Sequence, residues 1–291
     1  MLLSYDYQLL RTSLPLIYER ATQVFLAVDK GLRTWSGNRF SVDERFYEWL
    51  ENFDTQKKIQ LCEGDFYDPL LTPMENDTRE RNMMADIMGE GGWHVQIDAD
   101  EYMIDFGNFA DFLLTKASAY LRHPEEPISV YADLVTLYKK TKNGYLYIPS
   151  RETGPVATRN PTYTKSRYQS FNGLVTTSKI VHQSWARPDE EIKQKLSNWG
   201  HRDDFNVESY FRFWQACDEH NYKYYNHFHP IYPELWHSLN YIPCESITDF
   251  IAQYVALHGI GGQEITCHYY DPTEALQKKP QKKWYKRLIN R

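Results

Sequence analysis

DTRERNMMADIMGEGGWHVQIDAD, residues 77–100, reads as a helix that runs into a strand. The helix over 77–88 opens on an Asp or Thr cap, buries Met84, Ala85, Ile87 and Met88, and stops at Gly89 ahead of Gly91 and Gly92. The strand His94–Ile97 follows and ends at Asp98.

The same alternation runs upstream. Leu9, Leu10, Leu14 and Ile17 fall at near-helical spacing within 6–19, and the apolar run Gln23–Val28 has the length of a buried strand that stops at Asp29. A helix over 41–53 starts on Ser41, with Phe46, Trp49, Leu50 and Phe53 on one stripe, and a strand Lys58–Cys62 ends at Glu63. Repeated strand-helix alternation implies right-handed crossovers. The expected fold is therefore α/β, a mainly parallel, Rossmann-like sheet with helices on both faces in a single main domain.

Downstream of about residue 125 the alternation loosens. Strands Ile128–Tyr138 and Tyr145–Ile148 are joined by a turn at Lys142-Asn143-Gly144, an irregular stretch covers 150–172, and helices return over 188–198, 206–220 and 246–257. This divides the one domain into a first half, 1–125, and a second half, 126–270, followed by a tail, 271–291.

Composition narrows the function classes. No run approaches the roughly 20 consecutive apolar residues of a membrane span, and the opening residues lack the basic and apolar regions of a secretory signal, so a cytoplasmic location is expected. Cys62, Cys217, Cys244 and Cys267 form no CxxC pair, which argues against a zinc ribbon or a disulfide framework. Residues 277–291 carry seven Lys/Arg and no acid, so the net charge of -6 leaves -13 on the rest of the chain. An acidic body argues against a nucleic-acid partner, whereas the basic tail suits peripheral contact with an anionic membrane surface.

In an open parallel sheet a ligand sits at the carboxyl ends of the strands, and here those ends carry acids: Asp29, Glu63, Asp98 and Asp100. Two carboxylates separated by one small residue can both reach one hard cation, which then bridges substrate phosphates with few protein ligands. Arg79 and Arg81, near the start of the 77–88 helix, suit a diphosphate clamp at a helix N-terminus. The H-x-H pair His227 and His229 leaves a metallohydrolase as an alternative class, and a non-catalytic sugar-binding protein is a third.

The text from Arg79 to Met103, together with VHQSWARPDEEIKQKLSNWGHRDDF from Val181 to Phe205, resembles the GT-A glycosyltransferases, especially family 2 and its relatives. The resemblance covers under a fifth of the chain. It implies a GT-A-type sheet, with 1–125 as the nucleotide-sugar-binding half and 126–270 as the acceptor-binding half. It also implies a UDP- or GDP-sugar donor, Mn²⁺ or Mg²⁺, and transfer to a hydroxyl of a glycan or lipid-linked acceptor. Carried over, Asp29 recognises base or ribose, Asp98 and Asp100 hold ribose and metal, and His182 is a further metal ligand with His201 as its alternative. Trp185 is a ring for stacking on a sugar. If configuration inverts, a carboxylate must deprotonate the acceptor, and Asp203, Asp204 and Glu152 are the candidates. The family's first strand and its loop are reduced here to Met1–Tyr5, which puts base recognition in question.

Overall fold

The computed structural model describes residues 1–121, 127–169, 173–198, 204–259 and 268–270. His201, Asp203 and the 277–291 tail lie outside them.

The chain begins with helix α1 (Leu10–Ile17), strand β1 (Val24–Asp29), helix α2 (Glu44–Phe53) and strand β2 (Ile59–Gly64). β1 and β2 pair in parallel, Val24 opposite Ile59 through Asp29 opposite Gly64. Met1–Leu3 lies along the other edge of β1. Its backbone exchanges hydrogen bonds with Ala27, and the Met1 ammonium donates to the Phe25 carbonyl at 2.8 Å. α2 is capped by Asp43, whose carboxylate accepts from the Arg45 amide, and it buries Phe46 and Leu50 against Leu10, Leu14, Leu26 and Val28. Each such aliphatic side chain taken from water contributes about 1.5–3 kcal/mol.

Helix α3 (Pro73–Met88) starts four residues earlier than its apolar spacing alone predicts. Thr72 and Glu75 close a reciprocal capping box, and Pro73 occupies the first turn, where its missing N–H costs nothing. After it come strand β3 (His94–Val95), strand β4 (Glu101–Met103) and helix α4 (Phe106–Thr115).

The remaining elements are strands β5 (Ser129–Lys140), β6 (Gly144–Tyr147), β7 (Glu152–Thr158) and β8 (Gly173–His182), helices α5 (Asp189–Asn198) and α6 (Val207–Gln215), strand β9 (Asn240–Pro243), helix α7 (Ile247–His258) and strand β10 (His268–Tyr270). β3 through β10 form one branched sheet of eight strands among the described residues. Within it, β3 pairs with β7, β4 with β8, β5 with β6 and β7, β6 with β9, and β10 with β8, all antiparallel. Only β5 and β8 run parallel.

This corrects the expected architecture. The fold is mixed α/β, and its larger sheet is mostly antiparallel; the β1–β2 pairing is a small parallel sheet, not one edge of a mainly parallel, GT-A-type sheet. The physical reason lies in the second half of the chain. β7 and β8 occupy text with no apolar run long enough to read as a strand, and they draw β3 and β4 into antiparallel ladders.

Three apolar clusters hold the larger sheet, one of them setting Phe250 and Tyr254 of α7 against Leu137, Tyr145, Tyr147 and Ile242. On one side Phe106, Phe109, Phe112 and Leu113 of α4 pack on Val130, Ala132, Leu174 and Ile180. Elsewhere Tyr138, Trp185, Trp214, Phe228 and Trp236 form a buried aromatic cluster, in which the Trp214 indole donates to the Tyr138 carbonyl at 2.8 Å. No described helix is long and apolar enough to cross a membrane.

Candidate active site

A cleft of about 780 Å³ opens where β4 and the mouth of β8 meet the start of α3. Arg81, Asp98, Asp100, Glu152, His182 and Trp185 all line it.

The β4–β8 ladder builds its centre. Its register sets Glu101 opposite His182, and the Gln183 amide donates to the Asp100 carbonyl at 2.8 Å. The His182 imidazole therefore arrives beside the acid that precedes β4, with Nε2 3.5 Å from Asp100 Oδ2. The same oxygen accepts from Arg187 Nη2 and, at 2.9 Å, from Lys195 Nζ. Burial pushes the Asp100 pKa up, but Lys195, His182 and Arg187 outweigh it and hold the carboxyl well below its ordinary value. Arg187 in turn reaches Asp6 at 3.0 Å.

Asp98 faces the other way. Arg81 donates to it from Nη2 at 3.1 and 3.3 Å, while Arg81 Nε is bound to Asp77 at 2.6 Å and Nη1 to Gln96 at 3.2 Å. Burial raises the Asp98 pKa, and Arg81 and Arg167 bring it below the usual carboxylate value. Arg167 itself clamps Glu101, whose Oε2 also accepts from the Asp98 amide at 3.1 Å. Pro73 and Met74 border the cleft, but Arg81 lies two turns into α3, so its charge serves Asp98 through its side chain and not as part of a helix N-terminus.

Glu152 begins β7 on the wall beside His182. Thr136 Oγ1 donates to its Oε2 at 2.8 Å, and the register of β5 on β8 sets Thr136 opposite His182. The Trp236 indole donates to the other carboxylate oxygen. Trp185 is buried, edge-on to Trp236 at 6.1 Å and to Tyr210 at 5.3 Å, which makes it a wall of the cleft.

The other expected residues lie elsewhere. Asp29 is buried outside the cleft, where its two oxygens accept from the amides of Gly31, Arg33, Phe66 and Tyr67 and from the Arg33 guanidinium. Glu63 is exposed on β2, Arg79 donates to the carbonyls of Asp65 and Phe66, and Asp204 is exposed. Of the H-x-H pair, His229 lines the cleft and His227 does not, and the two join no metal cluster among the described residues. His227 packs on His237 with ring centres 4.8 Å apart, and His229 Nδ1 already accepts from the amides of Ile231 and Tyr232.

Whether this cleft suits a divalent ion turns on its donors. Among the described residues no three His, Cys, Asp or Glu side chains converge as a metal cage. Asp100 and His182 do converge, a pair of donor types that Mn²⁺ accepts, but the Asp100 oxygen that faces His182 is already held by Arg187 and Lys195. Arg187, Lys195, Arg167 and Thr136 escape sequence reading; a run of buried acids without nearby counter-charges is the signal that asks for them. No protein-family model, characterised protein or solved structure matches the chain.

Proposed function

We propose that the chain is a glycosyltransferase that moves a sugar from a UDP- or GDP-sugar to a hydroxyl of a glycan or lipid-linked acceptor, with inversion. One observation carries the reading: a single cleft holds a carboxylate and imidazole pair, Asp100 and His182, near a separate carboxylate, Glu152, oriented by two hydrogen bonds. Asp203 lies outside the described residues; of the other two candidate acids, Glu152 lines the cleft and Asp204 does not.

In this reading Glu152 takes the proton of the acceptor hydroxyl as its oxygen bonds the anomeric carbon, and the bond from that carbon to the donor phosphate breaks, its electron pair leaving on the diphosphate. Thr136 and Trp236 fix the carboxylate for that transfer. Asp100 and His182 would hold Mn²⁺ or Mg²⁺, whose charge stabilises the departing diphosphate when bound. In this reading Asp98, tied to Arg81, accepts from the donor ribose. We take the reaction to be cytoplasmic, with the 277–291 tail in peripheral contact with a membrane carrying the acceptor.

A thermal-shift screen of UDP- and GDP-sugars with and without Mn²⁺, followed by transfer assays, tests the proposal. One donor is expected to stabilise the protein more with Mn²⁺ than without. Glu152→Gln is expected to keep that stabilisation while losing about 10²-fold or more in kcat. Unchanged turnover in Glu152→Gln removes the base, and a donor that binds without any transfer in the unaltered protein returns the chain to the class of non-catalytic sugar-binding proteins.

A further inference from the structure

Beside the cleft lies a second cavity of about 400 Å³, bounded by β1, α3, β3 and α4, which shares only Leu2, Arg81 and Asp98 with it. Its wall is mainly apolar, with Val24, Met84, Met88, Trp93, Phe106 and Leu113 among the side chains that line it. Small-molecule pockets of roughly 300–1,000 Å³ combine such a wall with a few polar groups that fix the ligand.

The charged groups on its border are engaged. Arg81 holds Asp77 and Asp98, Arg20 pairs with Asp111, Glu80 accepts from the Trp35 indole, and the Met1 ammonium donates to the Phe25 carbonyl. No charge is left over for an ionic ligand among these groups.

His94 is the exception among the polar groups. It lines the cavity at 4% exposure, and its Nδ1 has no hydrogen-bond partner among the described residues. The ring is hydrogen-bonded to the Gly89 backbone in a way that favours the proton on the ring, so an imidazole N–H donates to the Gly89 carbonyl; with Nδ1 unpartnered, that N–H is on Nε2. Burial holds the His94 pKa below its ordinary value, which leaves the ring neutral and a lone pair on Nδ1. A buried acceptor without a donor is costly, and a ligand that donates to it removes that cost. We propose that this cavity binds an uncharged, hydroxyl-bearing hydrocarbon, its chain against the apolar wall and its hydroxyl donating to His94 Nδ1. The site is separate from the donor reading above.

The test is calorimetric titration of the full chain with n-octanol, with its isomer heptyl methyl ether, whose oxygen has no proton to donate, and with octanoate. One equivalent of n-octanol is expected to bind, the ether about fivefold or more weakly, and octanoate more weakly still. His94→Leu is expected to bind alcohol and ether alike; should it fold poorly, judged by its melting temperature, His94→Met makes the same comparison. Ala110→Phe fills the cavity from α4 without touching the cleft lining and is expected to bind none of the three, with Ala85→Phe as the second such variant. Equal affinity for alcohol and ether in the unaltered protein overturns the role of His94 and assigns its Nδ1 to a water in the gap of about 10 Å³ that the ring also lines. Octanoate binding as tightly as n-octanol overturns the uncharged class. No binding of n-octanol, or binding that persists unchanged in folded Ala110→Phe and Ala85→Phe, overturns the site itself.

Discussion

Glu80 shows how a single buried acid sets the behaviour of its surroundings. It sits on α3 beside Arg81, is 5% exposed, and accepts a hydrogen bond from the Trp35 indole at 2.6 Å. Burial pushes its pKa up to about 8, against the ordinary value of roughly 4.3 in an unfolded chain. The folded state therefore holds a proton that the unfolded state has released. Stability from this group is complete below about pH 4.3 and declines as the pH rises through about 8. Glu80→Gln keeps an acceptor for Trp35 and has no proton to lose, so its urea midpoint is expected to exceed that of the unaltered protein at pH 8 and to lack the decline; parallel midpoints from pH 5 to 8 would reject the account. Individual residues of the cleft were partly legible in the sequence. Asp98, Asp100, Arg81 and His182 announce themselves by charge next to apolar runs, and the cleft lining includes all four. Lys195 and Arg187 do not, because within ARPDEEIKQKL they look like the solvated cations found at the ends of any helix.

At the scale of elements, the legible parts were those stabilised by their own periodicity. α2 and α5 show it in single apolar stripes. β7 and β8 were opaque for a local reason. β7 carries Gly154 and Pro155, which read as breakers, yet Pro155 lies opposite Tyr131 next to a register shift in β5, a place where a strand tolerates a residue without an N–H. β8 interrupts its apolar pattern with Thr176, Thr177, Ser178 and Lys179. Two of these polar groups find partners on β5, Thr176 donating to the Tyr131 carbonyl at 2.9 Å and Lys179 pairing with Asp133. Strands stabilised by such cross-strand partners cannot be recognised until the partner is known. A close joint between elements is at Gly144, where an added Cβ would stand 2.3 Å from the Ile242 carbonyl oxygen of β9. Gly144→Ala must push β9 from β6, and a loss of about 1–3 kcal/mol in chemical denaturation is expected. Because neither residue lines the cleft, donor binding should persist at temperatures where the variant remains folded.

Across the whole molecule, distant parts of the chain meet at one carboxylate. Arg187 joins Asp6 to Asp100 across sequence separations of 181 and 87 residues, and Thr34 meets Asn198, the last residue of α5, at 2.7 Å across 164. Arg187→Met leaves two acids without their shared counter-charge, one of them buried, and removing one member of a buried ionic network costs about 3–5 kcal/mol. The expected result is a lower urea midpoint at pH 7, with a smaller gap at acid pH. Asp100 has a depressed pKa when folded, so its contribution is present above the unfolded value of roughly 3.9 and fades as the pH falls below it. An equal gap at both pH values would show that Arg187 acts by packing alone. The large-scale arrangement was the least legible level, since the strands that decide sheet direction lie far along the chain from the ones that first suggest it. That separation has a consequence for synthesis. A ribosome delivers Asp98, Asp100 and Glu101 first and their partners Arg167, Arg187 and Lys195 only after another 65 residues or more have followed Asp100. Until then Asp100 has no reason to leave water, so the nascent first half waits with its centre open, and the cleft closes as a late event in the life of the new chain.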